Sequence, residues 1–256
     1  MKNFLGRTAI ITGSGAGLGA AYAKELASRG CNVLCNDLGG DVMGKGTSST
    51  GVQAVVADIK LKGGSAVADF SSVLDASDIV KNALNTFGRV DILINNAGIA
   101  NRAIALEHTD ELWDEVIELD LTAPFILSRE IGQQMAARGS GKIIFTASMW
   151  TFLGGKNVIS YTAAKSALGG LVRGLSNELA GDGICVNAIA PGFIETDINL
   201  RVRADKERFE FLSARIPAKR WGKPADLAGA TLFLSSAASD YVSGIVLPVD
   251  GGYLAN

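Results

Sequence analysis

The chain has 256 residues, of which 48% are hydrophobic and 20% are charged, with 24 lysines and arginines, 26 aspartates and glutamates and a net charge of −2. This balance gives no electrostatic reason to expect nucleic acid or an anionic membrane as a partner. Three cysteines, an odd number, do not suit a secreted disulfide framework, and one histidine argues against zinc and serine-hydrolase sites. Because no apolar run is long enough for a leader peptide or a membrane span, we expect a soluble cytoplasmic protein without a metal.

Short apolar runs alternate along the chain with longer segments whose apolar residues recur every three or four positions. The short runs are continuous, which is typical of parallel strands covered on both faces. This alternation predicts an α/β fold, a Rossmann-like doubly wound parallel sheet of about seven strands, forming a single domain over residues 1–256. Strands are predicted at 8–11, 32–36, 65–68, 91–94, 142–147, 185–189 and 245–249. Helices are predicted at 18–29, 48–62, 75–87, 110–137, 158–180 and 224–236.

Two polar stretches interrupt the alternation of strands and helices. The first, DLGGDVMGKGTSSTG at 37–51, follows the second predicted strand. The second, at 193–216, follows the sixth and contains one predicted short helix in RVRADKERFEFL. Both lie beyond the carboxyl ends of strands, where open α/β sheets bind ligands. We interpret 193–216 as a substrate loop; a plain surface loop is the alternative.

A glycine-rich turn, TGSGAGLG at 12–19, joins the first predicted strand to the first predicted helix. Gly13 permits a tight turn, Gly17 lets a pyrophosphate approach the backbone, and Gly19 lets the helix pack close to the strand. The free N–H groups of the helix N-terminus then face the phosphates. The context of strand, turn and helix predicts a dinucleotide site.

The second predicted strand is followed by Asp37, whose carboxylate is placed to accept hydrogen bonds from the adenosine ribose diol. The same carboxylate repels a 2′-phosphate, and no arginine or lysine occurs in 31–44 to neutralise one. The sequence therefore predicts NAD rather than NADP; a solvated loop aspartate without a ligand is the alternative.

Several short motifs occur in register along the chain. The turn TGSGAGLG is followed by NNAG at 95–98, by Ser148 thirteen residues before Tyr161, by YTAAK at 161–165, by PG at 191–192 and by VDGGY at 249–253. In these motifs the chain resembles the short-chain dehydrogenases/reductases over essentially its whole length. The resemblance implies hydride transfer between a dinucleotide and a secondary alcohol or ketone, with Ser148, Tyr161 and Lys165 catalytic, in a homotetramer built as a dimer of dimers. It also implies these cofactor contacts: Thr12, Gly13, Ser14, Gly17, Leu18, Gly19, Asp37, Asp69, Phe70, Asn95, Ala97, Gly98, Tyr161, Lys165, Pro191, Gly192, Ile194 and Thr196.

Tyr161 and Lys165 lie one helical turn apart, so their side chains share a helix face. A free phenol titrates near 10, too high for a good base at neutral pH. An ammonium roughly 5 Å away, at an effective dielectric near 20, favours phenolate by about 3 kcal/mol, or about two pKa units. Tyr161 is thus predicted to exchange a proton with the substrate oxygen, which the Ser148 hydroxyl also binds.

One position departs from the family pattern. The family usually has an asparagine as a fourth catalytic residue, but here the corresponding segment begins with Asp120, in DLTAPF at 120–125. An amide donates and accepts hydrogen bonds, whereas an ionised carboxylate only accepts. We hypothesise that Asp120 keeps the catalytic place of the asparagine.

The substrate pocket is predicted to be lined by the segment after Ser148 and by the loop after Gly192. The predicted substrate contacts are Ser148, Trp150, Asn157, Tyr161 and Phe193. Trp150 is equally compatible with a packing role. RADKER at 203–208 and IPAKRWGKPADLAGA at 216–230 resemble 2-deoxy-D-gluconate 3-dehydrogenases and related sugar-acid enzymes, whereas NDLGGDVMGKGTSS at 36–49 resembles a 3-hydroxyacyl-CoA dehydrogenase unit. The segments 203–208 and 216–230 are expected to lie nearer the substrate than 36–49 does, which favours a hydroxy acid or sugar acid as substrate. Arg201 or Arg203 is a candidate carboxylate ligand, with a solvated helix face as the alternative.

Two other functions stay open from the sequence. One is a reductase for 3-oxoacyl or alicyclic ketones with an apolar pocket. The other is a regulatory protein that binds NAD without catalysis.

Overall fold

The computed structural model describes residues 3–40 and 43–256, so Asp41 and Val42 of the first polar stretch lie outside the described residues. Seven parallel strands form one sheet in the order β3-β2-β1-β4-β5-β6-β7. This confirms the predicted fold class. The strands are β1 Thr8–Thr12, β2 Asn32–Asn36, β3 Ser65–Asp69, β4 Ile92–Asn95, β5 Gly141–Thr146, β6 Ile184–Pro191 and β7 Val246–Val249. The helices are α1 Gly17–Ser28, α2 Thr50–Leu61, α3 Ala76–Phe87, α4 Asp110–Ile117, α5 Ala123–Arg138, α6 Ile159–Leu179, α7 Leu200–Ala204, α8 Lys206–Ala214 and α9 Ala228–Ser235.

The sheet is covered on both faces, which explains the continuous apolar strand sequences. One core joins the sheet to α1, α2 and α9. A second core on the opposite face joins it to α3, α5 and α6. Strand order reverses beside β1, which pairs with β2 on one side and with β4 on the other. The carboxyl ends of β1 and β4 therefore border the crevice in which this architecture binds ligands.

Three predicted helices differ from the structure. The helix predicted at 110–137 is interrupted by a π-helical turn at Glu118–Thr122, between α4 and α5. The helix predicted at 224–236 begins as a 3₁₀ turn, Pro224–Leu227, before α9. The single helix predicted in 201–212 is two helices, because Asp205 has an extended backbone and its side chain caps α8 by accepting from Arg208 N.

The segment 193–216 is anchored beside the cleft by a separate apolar cluster. Phe193 and Phe209 lie 5.0 and 5.1 Å from the Trp221 ring, between centroids, and Trp221 Nε1 donates to Ser213 Oγ at 2.9 Å. Tyr253 packs edge-on against Phe193 at 5.4 Å. The chain's C-terminal region thus supports the loop that carries α7 and α8.

Among the helices of the described ranges, none combines the length and the apolar character needed to span a bilayer.

Candidate active site

A cleft of about 1210 Å³ opens at the carboxyl ends of the central strands. Its floor comes from the segments that follow β1, β4, β5 and β6, and α7 and α8 form part of its wall. The volume exceeds that of a typical pocket for one small ligand. The cleft therefore has room for a dinucleotide and a substrate together.

The glycine turn forms one end of this cleft, and the NNAG segment holds it in place. Asn96 Nδ2 donates to the carbonyl oxygens of Thr12 and Gly13 at 3.0 and 3.1 Å, while Thr12 Oγ1 accepts from Asn96 N and Ala97 N, each at 3.0 Å. Gly13 has φ +63°, and a Cβ there would lie 2.8 Å from Ala97 Cα. Glycine is thus required at this turn both for its conformation and for the close approach of two backbones.

The N-terminus of α1 faces the cleft without a side-chain cap. Ala16 precedes the helix, and the first turn carries no acidic side chain. Gly17 has φ +52°, and a Cβ added there would lie 3.7 Å from the Thr196 side chain, an ordinary van der Waals contact. The free N–H groups and the open backbone fit the phosphates of a dinucleotide.

Two carboxylates follow β2 and end β3. Asp37 lines the cleft, and its two oxygens accept from Gly15 N at 2.6 Å and Gly39 N at 2.7 Å. Asp69 is buried and accepts from Asn36 Nδ2 at 2.8 Å and from Asn82 Nδ2. Asp37 is therefore held beside the glycine turn, whereas Asp69 braces the loop after β3.

Ser148, Tyr161 and Lys165 meet in the middle of the cleft. Ser148 begins a 3₁₀ turn, and its Oγ accepts from Trp150 N at 3.2 Å. Lys165 Nζ lies 5.3 Å from the centroid of the Tyr161 ring and donates to Thr146 O at 3.0 Å. Thr151 Oγ1 donates to Lys165 O at 2.8 Å, which joins the serine turn to α6. The predicted catalytic side chains are thus brought together by β5 and α6.

Asp120 joins this group from the π-helical turn. Its Oδ2 lies 3.1 Å from Lys165 Nζ, and its Oδ1 accepts from Ile99 N at 2.8 Å. The aspartate side chain is fully buried, and only 5% of the lysine side chain is exposed. The family resemblance implied a place near Lys165 for Asp120, and the structure places the two groups in direct contact.

The net effect of the surroundings on Tyr161 is opposite to the predicted one. Burial raises the pKa of Tyr161 above its ordinary value, and Asp120 adds to this rise, whereas Lys165 and the Ser148 hydroxyl lower it. Burial is the strongest single influence on Lys165 and lowers its pKa, but Asp120 and Tyr161 together outweigh burial, so the pKa of Lys165 is raised. The surroundings therefore raise both pKa values, which favours the ammonium form of Lys165 and the phenol form of Tyr161.

The part of the cleft lined by the segments after Ser148 and Gly192 combines aromatic side chains with the guanidiniums of Arg102 and Arg208. Trp150 and Phe193 both line it and pack edge to face, with centroids 6.4 Å apart, so Trp150 has the packing role and the pocket role at once. Asn157 lines the cleft with φ +63°, a conformation that asparagine tolerates. Partial burial lowers the pKa of Arg102, and the nearby Arg208 lowers it further.

Among the described residues, the charged groups that act on Arg102 are Arg208, Tyr161 and Arg201, and none of these is a carboxylate. Arg102 and Arg208 line the cleft, but the predicted candidates Arg201 and Arg203 do not. Two guanidiniums that line one cleft are suited to bind a substrate carboxylate.

Most predicted site residues line the cleft, but seven do not: Thr12, Ser14, Gly19, Asp69, Phe70, Asn95 and Asp120. Asn95 is buried and donates to Ser128 Oγ, and Phe70 is 45% exposed away from the cleft. Gly19 packs so tightly that a Cβ would collide with Gly13 O. Sequence reasoning missed Asn96, although NNAG contains it. It also missed Arg102, which no local pattern distinguishes.

Known proteins are similar to this chain in sequence and in fold. A family model described as enoyl-(acyl carrier protein) reductase matches residues 13–254. A 2-dehydro-3-deoxy-D-gluconate 5-dehydrogenase of Pseudoalteromonas atlantica is 44% identical, over 97% of this chain and 96% of its own length.

Two solved structures resemble the whole chain. One, assigned as an NAD(P)-dependent gluconate 5-dehydrogenase of Beutenbergia cavernae with bound NADP at low occupancy, is 43% identical with a TM-score of 0.92, covering 100% of this chain and 99% of that one. The other, assigned as a 2-deoxy-D-gluconate 3-dehydrogenase of Agrobacterium tumefaciens with bound NADP, is 41% identical with a TM-score of 0.88, at the same coverage.

Proposed function

The chain belongs to the short-chain dehydrogenase/reductase family, and from this premise we propose that it interconverts a secondary hydroxyl and a ketone on a sugar acid. It is an oxidoreductase, as its relatives' names and its full-length similarity to them support. The observation that carries the proposal is the meeting of Ser148, Tyr161 and Lys165 in a cleft that also contains an uncapped helix N-terminus.

The protein's own part in the reaction is proton transfer and positioning. Ser148 and Tyr161 bind the substrate oxygen, and the Tyr161 hydroxyl gains or loses the proton as hydroxyl and ketone interconvert. Lys165 stabilises the phenolate form, and its place is held by Thr146 O and Asp120. We retain Asp120 as the fourth member of the catalytic group, acting through Lys165.

A nicotinamide dinucleotide supplies the hydride acceptor or donor when bound. The phosphates would lie at the glycine turn, at Gly13, Gly17 and Leu18, and the ribose of the adenosine beside Asp37. The nicotinamide end would lie near Lys165, beside the segment 191–196 that follows β6. The predicted cofactor contacts that do not line the cleft would not touch the dinucleotide. They would instead hold in place the backbone of the segments that do.

We propose NAD as the preferred dinucleotide, although the two similar solved structures hold NADP. The support is Asp37, whose carboxylate is held at the cleft by two backbone N–H groups, in a segment that has no arginine or lysine from 31 to 44. Like charges about 4 Å apart at a dielectric near 20 repel by about 4 kcal/mol. We expect kcat/KM to be at least about tenfold higher with NAD.

Steady-state kinetics with both dinucleotides check this expectation. Asp37→Asn removes the charge and keeps an acceptor oxygen, so its ratio of NADP to NAD activity should rise. Equal use of the two dinucleotides by the unaltered chain would refute the NAD preference without touching the reaction class.

A sugar acid is favoured as substrate because Arg102 and Arg208 face the substrate half of the cleft. Loss of a charged hydrogen bond costs about 1.5–3 kcal/mol. Arg102→Gln should therefore raise KM for sugar acids about ten- to hundredfold, with far smaller changes for the matching neutral alditols. The measurement is dinucleotide reduction across sugar acids, alditols, hydroxyacyl thioesters and cyclic alcohols.

Arg203→Gln is the matched control, because Arg203 lies on α7 outside the cleft lining. Arg203→Gln should leave KM unchanged for both sugar acids and alditols. Turnover confined to hydroxyacyl thioesters or cyclic alcohols would favour the apolar-pocket alternative, which Trp150 and Phe193 would serve. An equal loss for acids and alditols in Arg102→Gln would remove Arg102 from carboxylate recognition.

Four further parts of the proposal concern organisation. We retain a single domain over residues 1–256, a substrate loop at 193–216, a cytoplasmic location and a homotetramer. The tetramer has support in β7, which ends the sheet order, and in the partly exposed side chain of Ile245 directly before it. An unpaired strand edge with apolar neighbours suits association with a second copy.

A further inference from the structure

A buried carboxylate, Asp120, lies where the family usually has an amide, and its surroundings hold it in one position. Its Oδ1 accepts from Ile99 N at 2.8 Å, and its Oδ2 lies 3.1 Å from Lys165 Nζ. A Cβ added to Gly98 would lie 2.9 Å from Oδ2, so the carboxylate packs directly against this backbone. The side chain therefore has little room to turn away from Lys165.

The Lys165 ammonium is held by one hydrogen bond and one ion pair. Thr146 O accepts from Nζ at 3.0 Å, and Asp120 provides the second contact. A lysine side chain has a flexible four-carbon stem and does not choose one position by itself. Asp120 and Thr146 together hold the ammonium beneath the Tyr161 ring, at 5.3 Å from its centroid.

Groups from four parts of the fold act on the Tyr161 hydroxyl. Lys165 acts from α6, Asp120 from the π-helical turn, the Ser148 hydroxyl from the segment after β5, and Arg102 from the segment after β4. Lys165 and Arg102 favour the phenolate, whereas Asp120 and burial favour the phenol. A neutral amide at position 120 would remove only the anionic member of this set.

We propose that Asp120 is a positioning residue that acts through Lys165 and by its charge: it holds the ammonium in place and keeps Tyr161 protonated to a higher pH than an amide would. The inference rests on the proposed function, in which Tyr161 carries the proton. Alcohol oxidation needs the phenolate and ketone reduction needs the phenol. Asp120 therefore shifts oxidation toward alkaline pH and preserves reduction at neutral pH.

The test is the pH profile of Asp120→Asn. We expect the rising limb of kcat/KM for oxidation to move about one pH unit lower, the size of shift that a nearby charge produces. Asp120→Glu keeps the charge, so its limb should stay close to that of the unaltered chain. Asp91→Asn is the control for loss of a buried carboxylate, because Asp91 pairs with Arg89 far from the cleft. It should lower the melting temperature without moving the limb.

A second measurement is independent of turnover. The phenolate absorbance of Tyr161, taken as the difference between each chain and its Tyr161→Phe counterpart, should appear at lower pH in Asp120→Asn. If the amide variant does not fold, Asp120→Ser has the same expectation. A reduced kcat with an unmoved limb and unmoved absorbance would overturn the inference. A chain that turns over no alcohol but shows the absorbance shift would refute the proposed function and support the inference.

Discussion

Tyr161→Phe should lower kcat for alcohol oxidation about a thousandfold, within the range of about 10²–10⁴ for general acid–base groups, while the dinucleotide still binds. The phenylalanine keeps the ring that packs against Lys165 but has no hydroxyl to exchange a proton with the substrate oxygen. Ser148 and the glycine turn are unchanged, so the affinity for the dinucleotide should change little. Steady-state assays of alcohol oxidation measure kcat. Titration of the fluorescence of the reduced dinucleotide measures its binding.

Tyr241→Phe is the control for this experiment, since Tyr241 is fully exposed and outside the cleft lining. It should keep full activity. If Tyr161→Phe retained more than about a tenth of kcat, a loss far below that expected of a general acid–base group, Tyr161 would not be the proton carrier. A chain without dehydrogenase activity at all, yet with tight dinucleotide binding, would favour the non-catalytic regulatory protein.

Lys165→Met should lower the free energy of unfolding by about 3–5 kcal/mol, the loss expected when one partner of a buried ion pair is removed. The variant leaves the Asp120 carboxylate fully buried without its cation. Burial raises the pKa of Asp120, so the folded variant binds a proton more tightly than the unfolded chain does. This contribution favours the folded state at acidic pH and is lost as the pH rises through the raised pKa. Lys165→Met should therefore lower the free energy of unfolding by more at pH 8 than at pH 5.

Urea unfolding at both pH values, at one protein concentration, measures this deficit. The double variant Lys165→Met with Asp120→Leu removes both charges, and we expect it to recover part of the lost stability, because no unpaired charge stays buried. If the double variant lost the sum of the two single losses, Asp120 and Lys165 would not be coupled in the folded protein. Activity should be lost in both variants, since Lys165 stabilises the phenolate.

The sequence alone determined the features that depend on neighbours along the chain. Continuous apolar runs predicted the seven strands, because burial on both faces demands apolar residues throughout a strand. The spacing of Tyr161 and Lys165 placed them on one helix face, because a helical turn has a fixed length. The glycine turn was recognised from residues whose backbone geometry is local.

Only the tertiary structure decided the features that depend on distance in space. The fold brings Asp120 to Lys165 and Arg208 to Arg102, and nothing in the local pattern of either pair indicates the other. It also decided the direction in which the pKa of Tyr161 shifts, because burial and a carboxylate distant in sequence outweigh the lysine one turn away. Periodicity and turn geometry are set by neighbouring residues, whereas burial and Coulomb interactions are set by whatever the fold brings near, so the first were predictable and the second were not.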